Sequence, residues 1–208
     1  PMHLDDAHAA ALPLAWLTAW RALVVRARVA KGERVLVTGA GGGVALAVLT
    51  LAVAHGAEVW VNSSDPTKIE RSKALGAAGG VLYTEDDWGR TLQKAAGGAF
   101  DVVVDGAGGE GFGQIVRVLG MGARVAFYGG TAGRWPGILP QHLFFKQVEI
   151  HACTMGSNAE FRAMVDYVGA HGLRPQVDRV FPLTDGAAAF ARMEAGEQFG
   201  KLVLSVRD

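Results

Sequence analysis

RVLVTGAGGGVALAVLTLAVAHGAEVWVN, residues 34–62, decides the fold. RVLVT (34–38) is a short β-rich run. Gly43–His55 follows as a helix that is apolar on nearly every face, which marks a buried helix. Gly56 ends it as a C-cap glycine. EVWVN (58–62) is a second strand. A strand, a buried helix and a second strand in about 30 residues make a βαβ unit, and such a unit implies parallel strands covered on both faces.

The alternation continues outward. Asp65-Pro66 opens the next helix, with Asp as N-cap and Pro at the first helical position. VLY (81–83), DVVVD (101–105), RVAFYG (124–129) and VEIHACT (148–154) read as strands three to six. With right-handed crossovers the fold class is α/β, a doubly wound parallel sheet. The tail departs from this rhythm: residues 159–172 are helical, DRVFPL is a short strand, 184–196 a helix and KLVLSV a final strand. The division expected is a connecting segment at 1–20, a nucleotide-binding domain at 21–155 and a returning segment at 156–208.

The bulk figures exclude several classes. Twenty basic residues balance twenty acidic ones among 208, so nothing global favours nucleic acid or an anionic membrane. The longest apolar stretch, Val44–Ala54, is far short of the ~20 residues of a membrane span. The single cysteine, Cys153, allows no internal disulfide and fits a reducing, cytoplasmic setting. The six histidines show no metal-ligand spacing. The opening PMHLDDAHAAALP carries neither an initiator Met nor a cleavable leader, and the natural N-terminus is expected upstream.

Two glycine loops compete as a pyrophosphate seat. TGAGGGVA (38–45) fails the G-x-G-x-x-G register, because the last position falls on Val44 or Leu46. DGAGGEG (105–111) meets it with Gly106, Gly108 and Gly111. Both leave a strand and open a helix, as anion binding at a helix N-terminus requires. In the strand order 3-2-1-4-5-6 the two loops flank one crevice. The first is the better seat. Gly39 gives the turn, Gly42 lets backbone approach the phosphates, and Ala45 permits close helix packing. A glycine-rich turn without a ligand is the competing reading of either loop.

Several segments together resemble the medium-chain dehydrogenases/reductases: ALPLAWLTAWRAL, VLVTGAGGGV, SKALGA, DVVVDGAGG, RVAFYGG, LFFKQVEI, TMGS and EQFGKLVL, in that order. The likeness is to the zinc-containing alcohol dehydrogenases and, more closely, to the zinc-free quinone oxidoreductases. It implies a Rossmann cofactor domain followed by a C-terminal segment that completes a GroES-like catalytic domain begun upstream. It implies NADPH as cofactor (NADH being the alternative), hydride transfer to a quinone, enone or related carbonyl, and a homodimer paired along the sixth strand.

The resemblance also assigns residues. Gly39, Gly41, Gly42, Gly43 and Val44 form the pyrophosphate loop, with Gly106 and Ala107 across the crevice. Ser63 stands where NAD enzymes carry an acid for the ribose hydroxyls, and Lys68 lies by the adenosine phosphate with Tyr83 beside it. A solvated lysine and an edge aromatic are the plain alternatives, and Asp65 could be the ribose acid but fits an N-cap better. Thr18, Gly129, Gly130, Thr131, Phe144, Phe145, Met155 and Gly156 are assigned to the nicotinamide end and Lys201 to the return strand; core packing competes for the Phe pair. The third catalytic zinc ligand of the alcohol dehydrogenases falls at about Leu14, which cannot ligate, so no metal is expected.

A zinc alcohol dehydrogenase and a non-catalytic nucleotide-binding relative stay open. A methyltransferase would need an acid where Ser63 stands. The Tyr-x-x-x-Lys pair of short-chain dehydrogenases is absent: Tyr83, Tyr128 and Tyr167 are followed at +4 by Asp87, Ala132 and His171.

Overall fold

The structure, a computed structural model, describes residues 1–206. Six parallel strands form the main sheet: β1 (Arg34–Val37), β2 (Glu58–Ser63), β3 (Gly79–Leu82), β4 (Phe100–Asp105), β5 (Leu119–Phe127) and β6 (Glu149–Ala152), in the order β3-β2-β1-β4-β5-β6. β1 lies between β2 and β4, with Val35 opposite both Val59 and Val102. The winding reverses at β1/β4, and there the two glycine loops stand side by side. This is the doubly wound parallel sheet expected, with β5 starting earlier, at Leu119, which pairs with Phe100 before the register shifts.

The period of two along each strand divides the core. Val35, Val37, Val59, Val61, Val102 and Val104 face one layer, while Leu36, Trp60, Val103 and Val125 face the other. Both faces are covered, which is why the strands read as unbroken apolar runs. The first layer holds α2 (Pro13–Trp20), α3 (Gly43–Ala54) and α8 (Asn158–Ala170). The second holds α5 (Trp88–Ala96) and α6 (Gly111–Val118).

α3 is buried along most of its length, from Ala45 to Ala52. Gly56 follows in the left-handed region, φ +78°, where a side chain would be strained. α4 (Pro66–Ala74) starts as its sequence requires: the Asp65 carboxylate accepts from Thr67 N–H at 2.7 Å. That hydrogen bond holds the Asp65 carboxyl below its ordinary range.

The segment before the sheet is helical, and the tail keeps the strand, helix, strand order read from its sequence. The segment 1–20, expected as a connection, folds into α1 (Asp6–Ala11) and α2, and Trp16, Ala19 and Trp20 are buried in the core. α2 runs directly into a π-helical turn, Arg21–Arg26. In the tail, β7 (Val177–Pro182) and β8 (Lys201–Ser205) pair in parallel as a separate two-stranded sheet, with α9 (Gly186–Glu194) between them. The remaining short helix, α7 (Gln141–Phe144), precedes β6.

α8 is fixed at its N-terminus by a capping box of Ser157 and Glu160. Arg21 binds Glu160 at 2.6 Å and donates to the Thr154 carbonyl at 3.1 Å. The 154–157 junction between sheet and tail is therefore held from the π-helical turn. Met155, within it, has φ +45°, a strained conformation for a non-glycine residue.

Candidate functional site

At the switch point lies a cavity of about 320 Å³ between the two glycine loops. Thr38, Gly39, Asn62, Tyr83, Trp88, Asp105, Ala107 and Thr131 are among the residues that line it. Ligands of open α/β sheets bind at such a crevice.

The two loops differ in what their amides are doing. In the second loop, Gly106 N donates to Thr38 Oγ1 (3.3 Å), Ala107 N and Gly108 N to the Asp105 carboxylate (3.2 and 2.9 Å), and Gly109 N to the Gly133 carbonyl (3.1 Å). Four successive amides are satisfied by protein. Segment 130–136 also covers the loop: Ala132 N donates to Ala107 O at 2.8 Å, and a side chain on Gly109 would meet Ala132 at 2.8 Å. Trp135 seals it by stacking on Phe112, centroids 3.8 Å apart.

The first loop is braced by the end of β2, and its remaining amides are less occupied. Gly39 N donates to Asn62 Oδ1 (2.9 Å) and Ala40 N to Asn62 O (2.8 Å). The Ser63 hydroxyl donates to Ala40 O (3.3 Å). Gly39 and Gly41 take positive φ, +70° and +112°. The first bond of α3 runs from Leu46 N to Gly42 O. Gly41, Gly43 and Val44 therefore have amides with no partner among the described residues, at the positive end of a buried helix. This is what an anionic pyrophosphate needs.

Two lysines stand over this loop. A Cβ on Gly41 would meet Lys68 Cδ at 2.7 Å, and one on Gly43 would meet Lys201 Cδ at 2.6 Å. Lys68 Nζ donates to the Gly196 carbonyl, and Gly200 N donates to Gly41 O at 2.8 Å. The tail thus closes on the loop through 196–201. Phe199 anchors it, buried, with Arg71 over its ring at 4.0 Å.

The other predicted residues fall as follows. Ala107, Tyr83 and Thr131 line the crevice. Gly106 and Gly129 are in close backbone approach, since a Cβ on Gly129 would lie 2.7 Å from Gly106 O. Thr18 is buried; its hydroxyl donates to Leu14 O at 2.9 Å and also approaches the Met155 sulfur. Gly156 packs on Leu17, and Gly130 is exposed beside Thr131. Ser63 is buried and points its hydroxyl into the loop it braces, away from the open crevice. Phe144 and Phe145 are exposed, their rings tilted against each other with centroids 4.6 Å apart, and belong neither to the crevice lining nor to the core. Cys153 is buried, and burial pushes its thiol up.

Sequence reasoning missed Asn62, Asp105, Trp88 and Tyr128. The first two had a signal: each is a polar residue at the end of an otherwise apolar strand. Asp105 is 1% exposed and accepts from the Thr38 hydroxyl at 2.6 Å as well as from two amides. The Tyr128 ring packs where a side chain on Gly106 would stand; burial, with Asp105 nearby, pushes its phenol well above the ordinary value, so it stays neutral. No three His, Cys, Asp or Glu side chains come together among the described residues, and Leu14 is exposed. These residues do not form a donor set for zinc. Among the described residues no helix is long and apolar enough to cross a membrane.

A doubly wound sheet with one open glycine loop at its switch point defines a dinucleotide-binding type of domain. Residues 75–204 match the family model described as zinc-binding dehydrogenase, and the chain belongs to that family, within the medium-chain dehydrogenase/reductase superfamily. A zinc-type alcohol dehydrogenase-like protein of Leptosphaeria maculans is 38% identical over 99% of this chain and 60% of its own length. Among solved structures, an NAD-dependent alcohol dehydrogenase superposes with a TM-score of 0.90 at 35% identity, over 100% of this chain and 61% of its own. The quinone oxidoreductase of Thermus thermophilus, also determined with NADPH, gives 0.83 at 30%, over 99% and 68%. The chain spans about three fifths of the relative from Leptosphaeria maculans.

Proposed function

We propose that the chain is the cofactor-holding part of an NADPH-dependent oxidoreductase that reduces a quinone, enone or related carbonyl compound. The observation that carries this is the set of amides of Gly41, Gly43 and Val44 without a partner among the described residues, with Lys68 beside them and no carboxylate side chain on the last two residues of β2, Asn62 and Ser63. A carboxylate there would repel a 2′-phosphate; these residues do not. The quinone oxidoreductase solved with NADPH supports the reading.

The dinucleotide supplies the hydride. The residues of this chain bind and orient it. The first loop holds the pyrophosphate through backbone amides and the dipole of α3. Lys68 and Lys201 add charge over the loop. Thr131 and Ala107 border the nicotinamide half, with the Tyr128 ring packed beneath Gly106. Trp88 and Tyr83 wall the other side of the crevice.

The test is a fluorescence titration of the protein with NADPH and with NADH. NADPH binding several-fold tighter is expected; NADH binding with none for NADPH would overturn the cofactor choice. Turnover over a panel of quinones and enones then tests the substrate class. We also propose a homodimer joined along β6, the outer strand of the sheet, where Ile150 is 38% exposed. Light scattering on the full protein would contradict this with a monomer mass.

A further inference from the structure

We propose that Asn62 is a positioning residue for the dinucleotide, one side-chain amide serving two partners. Resting on the function proposed above, this assigns it a role at the adenosine side of the crevice.

Asn62 is the penultimate residue of β2, next to Ser63, and is 3% exposed. Its backbone carbonyl accepts from Ala40 N, and its side-chain Oδ1 accepts from Gly39 N at 2.9 Å. The amide orientation is fixed by that second bond: Gly39 N–H can only donate, so the oxygen must face it. The Nδ2 group then has the other direction. It carries two N–H donors and has no partner among the described residues, while Asn62 lines the crevice together with Gly39 and Thr38. Nδ2 is not among the side-chain atoms sealed in the interior without a partner, so its N–H groups face the crevice, where an oxygen of a bound ligand can take the place of water. A polar oxygen of the bound dinucleotide, on the ribose or phosphate of its adenosine half, is the acceptor that the place and chemistry select. The same side chain therefore sets the first turn of the loop and reads what lies on it.

Aspartate separates the two duties. Asn62→Asp keeps an oxygen for Gly39 N–H and replaces the donor with a negative oxygen. Asn62→Ala removes both. The measurements are the melting temperature of each ligand-free protein and its affinity for NADPH and NADH at pH 8, where the new carboxylate is ionised. Asn62→Asp is expected to melt close to wild type yet to lose roughly 30-fold or more in NADPH affinity, from a lost charge-assisted hydrogen bond and added repulsion. Its loss for NADH, which has one phosphate fewer, is expected to be smaller. Asn62→Ala is expected to melt lower as well as bind weakly. Unchanged NADPH affinity in Asn62→Asp would overturn the donor role. A melting temperature as low as that of Asn62→Ala would overturn the assignment of the oxygen. If the wild type binds neither dinucleotide, it is the proposed function that fails, and the position of Asn62 is not what failed it.

Discussion

The Thr38 hydroxyl donates to the buried Asp105 carboxylate at 2.6 Å, joining the ends of β1 and β4 across the switch point. Asp105 also receives the amides of Ala107 and Gly108. One carboxylate thereby sets the shape of the second glycine loop. Asp105→Ala would leave a hydroxyl and two amides without their acceptor, and a loss of about 3–5 kcal/mol is expected, as when a buried polar network is broken. Thr38→Val removes the donor to Asp105 and the acceptor of Gly106 N but leaves the carboxylate its two amides, and should cost less, about 1–3 kcal/mol. Urea unfolding measures both. Equal losses for the two variants would contradict the ranking.

The glycines of the two loops should respond oppositely. Gly41 has φ +112° and no room before Lys68. Gly111 has ordinary backbone and only Trp88 near, at 3.9 Å. Gly41→Ala is expected to reduce dinucleotide affinity by at least tenfold, through backbone strain of about 1–2 kcal/mol and a displaced loop. Gly111→Ala, which alters the strict G-x-G-x-x-G match, should change affinity less than about threefold while slightly favouring the helix. The reverse order in a titration would make the second loop the seat.

Lys68 should matter by charge more than by packing. Lys68→Glu is expected to weaken NADPH much more than NADH, and Lys68→Ala to lie between it and wild type. The difference should shrink as salt is raised, because exposed charges are screened. Affinities for both cofactors measured at two ionic strengths decide this; equal losses for NADPH and NADH would place Lys68 away from the 2′-phosphate.

The Arg21–Glu160 pair predicts a pH effect. Arg21 holds the Glu160 carboxyl below its ordinary range, with the Ser157 amide adding to this. A depressed folded pKa contributes stability that is fully present above the unfolded value, about 4.3, and is lost as pH falls through the folded value. Wild type should therefore melt a few degrees above Glu160→Gln at pH 7, and the gap should close as pH falls through the folded value. A gap that persists at low pH would mean that Glu160 acts by shape alone.

The sheet was legible because both its faces are covered. A strand such as VVV at 102–104 must be apolar at every position, and glycine or Asp-Pro punctuation marks where each helix begins or ends. α2 was less legible because no glycine marks its end: the chain runs straight on into the π-helical turn, so the buried Trp16 and Trp20 stood in a stretch read as a connection. The glycine loops show a different limit. Residue spacing records where a turn can form, while the partners of its amides depend on the strand ends and loops that fold against it. DGAGGEG fits the pattern, but Asp105 and Gly133 occupy its amides; TGAGGGVA does not fit, and its outer amides stay open. The Phe144–Phe145 pair lies on a short exposed helix that its sequence did not distinguish from the core.

The bond from Gly200 to Gly41 joins the loop after the first strand to the turn before the eighth. On a ribosome the first loop emerges long before its counterpart. Until the turn at 196–200 has been made, the outer carbonyl of Gly41 faces water and Lys68 has no Gly196 to hold. The proposed seat is thus completed only when a segment some 160 residues further along the chain has folded back onto it. A nascent chain would carry the motif before it carried the finished site.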